Sequence, residues 1–131
     1  MKVKALDWMG IKTDTFQEME QFLHDVMGLQ PAHHAPDFVV FQLPNKDQVE
    51  VFGPGGPNQH FAPDSIVCGF LAEDIRQARQ ELVQAGIELL GPLQEEKPGG
   101  YAWQHFRAPD GKLYELTQNP EQISLLNHHE A

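Results

Sequence analysis

Hydrophobic and polar positions alternate through residues 3–12, "VKALDWMGIK", with the period of two that places successive side chains on opposite faces of a strand. The period then changes. In "TFQEMEQFLHDVMG" the apolar residues Phe16, Met19, Leu23 and Val26 recur at intervals of three and four, with Phe22 beside them, and predict a helix over residues 15–27. Thr15 and Glu18 have the spacing of a capping box, and Gly28 is the residue type that ends helices. A short Pro-bounded strand near Leu29 and two further strands, "FVVFQL" and "QVEVFG", follow. The segment "GPGGPNQHFAPD" is dense in Gly and Pro and reads as a linker.

The same order then restarts. "SIVCGFLA" predicts a strand, and "DIRQARQELVQAG" predicts a helix over 74–85 with Asp74 and Gly86 as its caps. The apolar face of this helix is Ile75, Ala78, Leu82 and Val83. "IELL" is a short strand, and "YAWQHFR" and "KLYELTQ" form a hairpin around Pro109-Asp110-Gly111. Pro presets one turn angle there and Gly accepts the positive one. Thr15 and Asp74 stand 59 residues apart, and Gly28 and Gly86 stand 58 apart. Strand, helix, strand, strand, strand is thus written twice, a repeat visible in order and caps although identities have diverged. Module one covers 1–53, the linker 54–64, module two 65–118, and a tail 119–131 holds one or two helical turns starting at Asn119-Pro120.

Composition narrows the function. A chain of 131 residues buries a real core and reads as one domain. Nine Lys and Arg against 19 Asp and Glu give a net charge of −10, which repels phosphate backbones and anionic membranes. Neither nucleic acid nor a membrane is expected as a partner. Cys68, the one cysteine, lies in an apolar run and reads as a buried thiol, with no intramolecular disulfide open to it. No apolar run reaches the ~18 residues of a membrane span, and the first residues lack a signal-peptide pattern, so a cytoplasmic protein is expected.

Glu115 stands out chemically. It interrupts an apolar strand among Leu113, Tyr114 and Leu116, where a carboxylate is costly to bury without a partner. Glu50, 65 residues earlier, closes the first module in the same way.

The two βαβββ halves, with "MGL" ending the first helix and "FRAPDGKLYEL" near the end, resemble the vicinal oxygen chelate superfamily across residues 3–118. Its members include glyoxalase I, extradiol dioxygenases, fosfomycin-resistance enzymes and bleomycin-binding proteins. The resemblance implies an α+β fold of two βαβββ modules whose curled mixed sheets surround an open cavity. Metal-binding members place one ligand on the first and one on the last strand of each half. The matching positions here are Trp8, Glu50, Val67 and Glu115. Trp8 and Val67 are placed by counting back seven residues from Thr15 and Asp74. The two slots that usually hold His are therefore Trp and Val, which do not ligate metals. Glu50 and Glu115 alone would make a weak oxygen-only divalent site, so no cofactor is expected. His33, His34, His60, His128 and His129 are placed in loops or the tail, and His24 on the first helix.

Alternation puts Trp103, His105 and Arg107 on one face of their strand. The resemblance to extradiol dioxygenases makes that the cavity face, His105 matching their cavity-facing tyrosine. The expected site is Glu115, Glu50 and His105 as the polar, acid–base groups, with Trp8, Phe52, Val67, Trp103 and Arg107 lining it. Two carboxylates in a desolvated cavity do not both ionise cheaply, so one is expected to hold a proton or pair with His105 or Arg107. The favoured reading is a small-molecule-binding protein of bleomycin-resistance type for a cationic or aromatic ligand. The alternative is a lyase or isomerase that moves protons with Glu115, Glu50 and His105. A glyoxalase-type metalloenzyme stands third. The resemblance also implies a homodimer.

Overall fold

The computed structural model describes residues 1–97 and 99–130, the side chains of 129 and 130 excepted. The described residues form β1 (Val3–Lys12), α1 (Phe16–Gln21), β2 (Gln30–Ala35), β3 (Phe38–Gln42) and β4 (Gln48–Phe52), the first βαβββ module. The second is β5 (Ile66–Ala72), α2 (Ile75–Gln84), β6 (Glu88–Glu96), β7 (Tyr101–Arg107) and β8 (Leu113–Gln118), followed by α3 (Pro120–Glu130). The fold is α+β.

Two compact units divide the chain: residues 8–67, and residues 1–7 with those from 68 onward. The linker segment therefore belongs to the first of these units, and the first seven residues to the second. In the first unit the strand order is β2-β3-β4-β1, with β1 and β4 parallel and the other pairs antiparallel. In the second it is β6-β7-β8-β5, again with the outermost pair, β5 and β8, parallel. The repeat extends to single residues. Glu50 lies opposite Gly10 of β1, and Glu115 lies opposite Gly69 of β5.

Each unit has its own core. Ile11, Phe16, Leu23, Val39, Phe41 and Val51 cluster in the first. Ala72, Ile75, Ala78, Ala102, Phe106 and Leu116 cluster in the second. Burial of each large side chain in these clusters stabilises the fold by about 1.5–3 kcal/mol.

Helix α2 forms as its pattern requires. The Asp74 carboxylate accepts from the backbone N–H groups of Arg76 and Gln77, each at 3.1 Å. Gly28 and Gly86 take φ of +77° and +80°, the left-handed geometry that ends a helix. The first helix departs from expectation. Thr15 makes no side-chain cap, because its hydroxyl bonds that of Thr13 at 3.0 Å. The helix also widens into a π-helical turn at Phe22–Val26, where Met27 N–H reaches back five residues to the Phe22 carbonyl. That extra residue per turn throws the apolar stripe out of phase. Phe16 and Leu23 stay in the core, while Phe22 and Val26 are exposed.

Other elements run longer than their patterns suggested. His33 and His34 lie in β2 and not in a loop, since β2 pairs antiparallel with β3. The strand read as "IELL" extends to Glu96 and carries an irregularity between Leu90 and Gln94. The tail helix runs from Pro120 to Glu130, with the Asn119 side chain accepting from Gln122 N–H at 3.2 Å. The hairpin turns at Gly111, φ +81°, as its Pro-Asp-Gly sequence requires.

Candidate functional site

The expected site residues are described unit by unit. In the first unit, Trp8 is buried and its indole N–H donates to Glu50 Oε1 at 3.0 Å. The ring folds back over Gly10, and a methyl group at position 10 would run into the outer edge of its six-membered ring. Glycine there is what lets the indole reach Glu50. Phe52 is fully buried, stacked on Phe38 at 6.0 Å and tilted against Trp8 at 6.4 Å. Phe61, from the segment read as a linker, is also buried and meets Trp8 and Phe52 edge-on. Lys12 anchors that segment, its ammonium donating to the carbonyls of Gln59 and Phe61 at 3.2 Å each. Val67 is buried as well.

In the second unit, β7 and β8 pair so that His105 faces Glu115 and Trp103 faces Thr117. His105 Nε2 and Glu115 Oε1 are 2.8 Å apart, and both residues are buried. Burial pushes the Glu115 carboxyl well above its usual range, and the nearby Asp7 carboxylate pushes it the same way. Burial lowers the His105 imidazole from 6.5 to about 4. Both shifts favour the neutral forms, the arrangement in which an acid O–H donates to a neutral ring nitrogen. The second oxygen of Glu115, Oε2, is buried with no hydrogen-bond partner. Buried polar atoms are nearly always paired, so this one points to a missing donor.

Trp103 is half-buried beside Tyr101, ring centres 5.7 Å apart. Arg107 is exposed, and its guanidinium pairs with Glu88 at 3.3 Å and donates to the Gly111 carbonyl at 2.9 Å. Two polar residues went unnoticed in the sequence. Asp7, 3% exposed, accepts from Thr117 Oγ1 at 2.6 Å. Gln104, also buried, accepts from Arg79 Nε at 2.7 Å and donates to the Leu90, Gly91 and His105 carbonyls, which ties the irregular part of β6 to β7. Asp7 in "ALDWMG" carries the same signal as Glu115, a lone carboxylate in an apolar strand.

The four positions that bear metal ligands in this type of fold do not suit such an ion here. Trp8 and Val67 offer no electron-pair donor, and one oxygen each of Glu50 and Glu115 is taken up, by Trp8 and by His105. Among the described residues no three of His, Cys, Asp and Glu gather to hold a metal. His24 pairs with Asp25, and His34 with Glu20. The side chain of His129 lies outside the described residues.

A family model, the Glyoxalase/Bleomycin resistance protein/Dioxygenase superfamily, matches residues 5–116. The chain belongs to this superfamily. No curated protein matches its sequence. Among solved structures it resembles the Mn(II)-bound glyoxalase from Novosphingobium aromaticivorans at 20% identity and a TM-score of 0.72, covering 89% of this chain and 39% of that one. It resembles methylmalonyl-CoA epimerase from Mycobacterium tuberculosis at 15% identity and a TM-score of 0.68, covering 94% and 93%. A hypothetical protein from Bacillus halodurans C-125 matches at 16% identity and a TM-score of 0.67, covering 88% and 94%. Identities this low establish a shared fold and leave ligand and reaction to the site itself.

Proposed function

We propose that this superfamily member binds a small molecule through Glu115 and His105, and that the ligand brings a hydrogen-bond donor, in the first instance a cationic or aromatic amine. The observation that carries this is the unpartnered Glu115 Oε2, an acceptor in a buried site beside a second carboxylate, Asp7. An ammonium or amide N–H would satisfy it, and an anion would be repelled. The net charge of −10 favours the same class of ligand.

The second reading is a lyase or isomerase that moves a proton without a bound transition metal. It is favoured by an acid and a base 2.8 Å apart, with burial holding both neutral. That an epimerase shares the fold is consistent with it. We also take the protein to act as a cytoplasmic homodimer. No helix among the described residues is long and apolar enough to cross a membrane, and exposed Leu6 and Ile66 are apolar surface that a second chain would cover.

The test is a thermal-shift and calorimetric screen with benzylammonium, its neutral analogue benzyl alcohol and its anionic analogue benzoate, on wild type and Glu115→Gln. The binding reading expects a melting-temperature rise with benzylammonium that shrinks in the variant. Stabilisation by benzoate alone, or equal responses in both proteins, would refute it.

A further inference from the structure

Strand β7 has two faces of different chemistry. Ala102 and Phe106 join Ile75 and Ala78 of α2 in the core, and Gln104 between them accepts from Arg79 of the same helix. Alternation therefore turns Tyr101, Trp103 and His105 to the face away from α2. Glu115, paired with His105, stands on that face as well. Beyond His105 the face is polar, where exposed Arg107 is held by Glu88 and the Gly111 carbonyl. Before His105 it is aromatic. Trp103 and Tyr101 are half-buried, with ring centres 5.7 Å apart and planes inclined at 46°.

The neighbours of the two rings fit a cation better than an anion. Thr117 lies opposite Trp103 on β8, and its hydroxyl is already given to Asp7. On β6, exposed Gln94 lies opposite Trp103 and exposed Glu96 opposite Tyr101. Directly paired residues share a face, so an amide and a carboxylate border the rings from that side. The electron-rich ring faces attract an ammonium or the polarised edge of another ring. Side chains two apart on a strand stand about 6.6 Å apart, so Trp103 is one such step from His105 and Tyr101 is two. A ligand whose amine sits at Glu115 lays one ring against Trp103 and needs a second ring, in line with the first, to reach Tyr101.

We propose that Trp103 and Tyr101 form an aromatic shelf that selects an elongated aromatic ammonium, its amine at Glu115 and His105 and two rings in line along β7, with Tyr101 the specificity-determining residue. This rests on the reading of Glu115 and His105 as the polar end of the ligand site.

The experiment measures calorimetric Kd values of benzylammonium and the longer 4-phenylbenzylammonium on wild type, Tyr101→Leu, Tyr101→Phe and Glu115→Gln. The quantity read is the ratio of the two Kd values on one protein, which a general loss of packing leaves alone because it weakens both amines together. Wild type is expected to bind the longer amine about tenfold tighter, the size of one added aromatic contact. Tyr101→Leu is expected to abolish that preference, and Tyr101→Phe, which keeps the ring, to retain it. A wild type without the preference overturns the proposal, as does a preference that survives in Tyr101→Leu or is lost in Tyr101→Phe. If Tyr101→Leu does not fold, intermolecular nuclear Overhauser effects in wild type decide: contact between the outer ring and the Tyr101 ring supports the shelf, and its absence overturns it. A second copy seated on the rings would change the mass of Tyr101→Leu by light scattering and leave wild type without the preference, which also overturns it. Glu115→Gln tests the polar end separately. If it weakens both amines while wild type shows no preference, the shelf falls and the ligand site stands. If wild type shows the preference and Glu115→Gln leaves both Kd values unchanged, the amine's place at Glu115 falls and the shelf stands. Binding of neither amine overturns both.

Discussion

Glu115→Gln is the substitution for which the site makes the least intuitive forecast. If Glu115 and His105 formed a buried ion pair, removing the charge would cost about 3–5 kcal/mol. The structure points the other way. Glutamine is the neutral isostere of the protonated acid, and its amide N–H can donate to His105 Nε2 as the acid O–H does. The signs follow from linkage. A carboxyl raised in the folded state contributes stability that is full below its unfolded value near 4.5 and is lost as pH rises toward the folded value. An imidazole lowered from 6.5 to about 4 contributes stability that is full above 6.5 and is lost as pH falls to about 4. Above about 4.5 the Glu115 term and the His105 term run in opposite directions. Glu115→Gln removes the Glu115 loss. The variant should therefore be more stable than wild type at pH 7 and equal to it near pH 4. Urea unfolding of both proteins from pH 4 to 8 measures this directly. The variant should retain the His105 term alone, about 3 kcal/mol gained between pH 4 and 6.5 and flat above. A variant less stable than wild type at every pH would show that Glu115 is ionised and that the neutral pair is wrong.

Gly10→Ala should destabilise by about 1–3 kcal/mol and shift the Trp8 emission, because the new methyl displaces the indole from Glu50. Unchanged stability and fluorescence would mean that Trp8 does not lie over Gly10. Elemental analysis of purified protein should find well under one zinc, nickel, manganese or iron per chain, and one tightly held ion would show that other donors complete a site. Light scattering at micromolar concentration should give twice the chain mass, and a monomer would remove the homodimer.

The architecture was legible because it is written twice. Two strand periods, two helix stripes, the Asp74 cap and the Gly28 and Gly86 ends fixed the order of the elements, and Pro109-Asp110-Gly111 fixed the hairpin. The π-helical turn was not legible, since Val26 keeps the helical spacing in sequence and loses it only when the backbone widens. The buried Phe61 was hidden inside a Gly- and Pro-rich segment whose composition says nothing of the Lys12 ammonium that pins it. Glu115 was legible as a lone carboxylate in an apolar strand, and His105, ten residues before it, entered through the resemblance. Asp7 was not, because its bond to Thr117 spans 110 residues.

The two repeated glutamates show how one position acquires two chemistries. Glu50 has Trp8 two residues before its opposite number on the parallel strand, and Val40 opposite it on the antiparallel one. Glu115 has the reverse, Val67 at the position equivalent to Trp8 and His105 across the antiparallel pair. Trp8 and His105 thus bring a nitrogen to the two carboxyls from opposite sides. The indole can only donate, which suits a carboxylate. The imidazole can accept, which suits a protonated acid. Glu50 is half-buried and Glu115 is buried, so loss of each partner should be felt unequally. Trp8→Phe keeps the ring and removes the N–H, and Glu50 can turn to water, so the cost should be about 0.5–1.5 kcal/mol. His105→Leu leaves the Glu115 acid group buried with neither oxygen partnered, and the cost should reach about 1–3 kcal/mol. Added Glu115→Leu should recover part of the second loss, because an apolar pair leaves nothing unsatisfied. Unfolding free energies at pH 6 for the three variants measure the ordering. If Trp8→Phe proves the costlier change, or Glu115→Leu fails to rescue His105→Leu, the division of roles between the two glutamates is wrong.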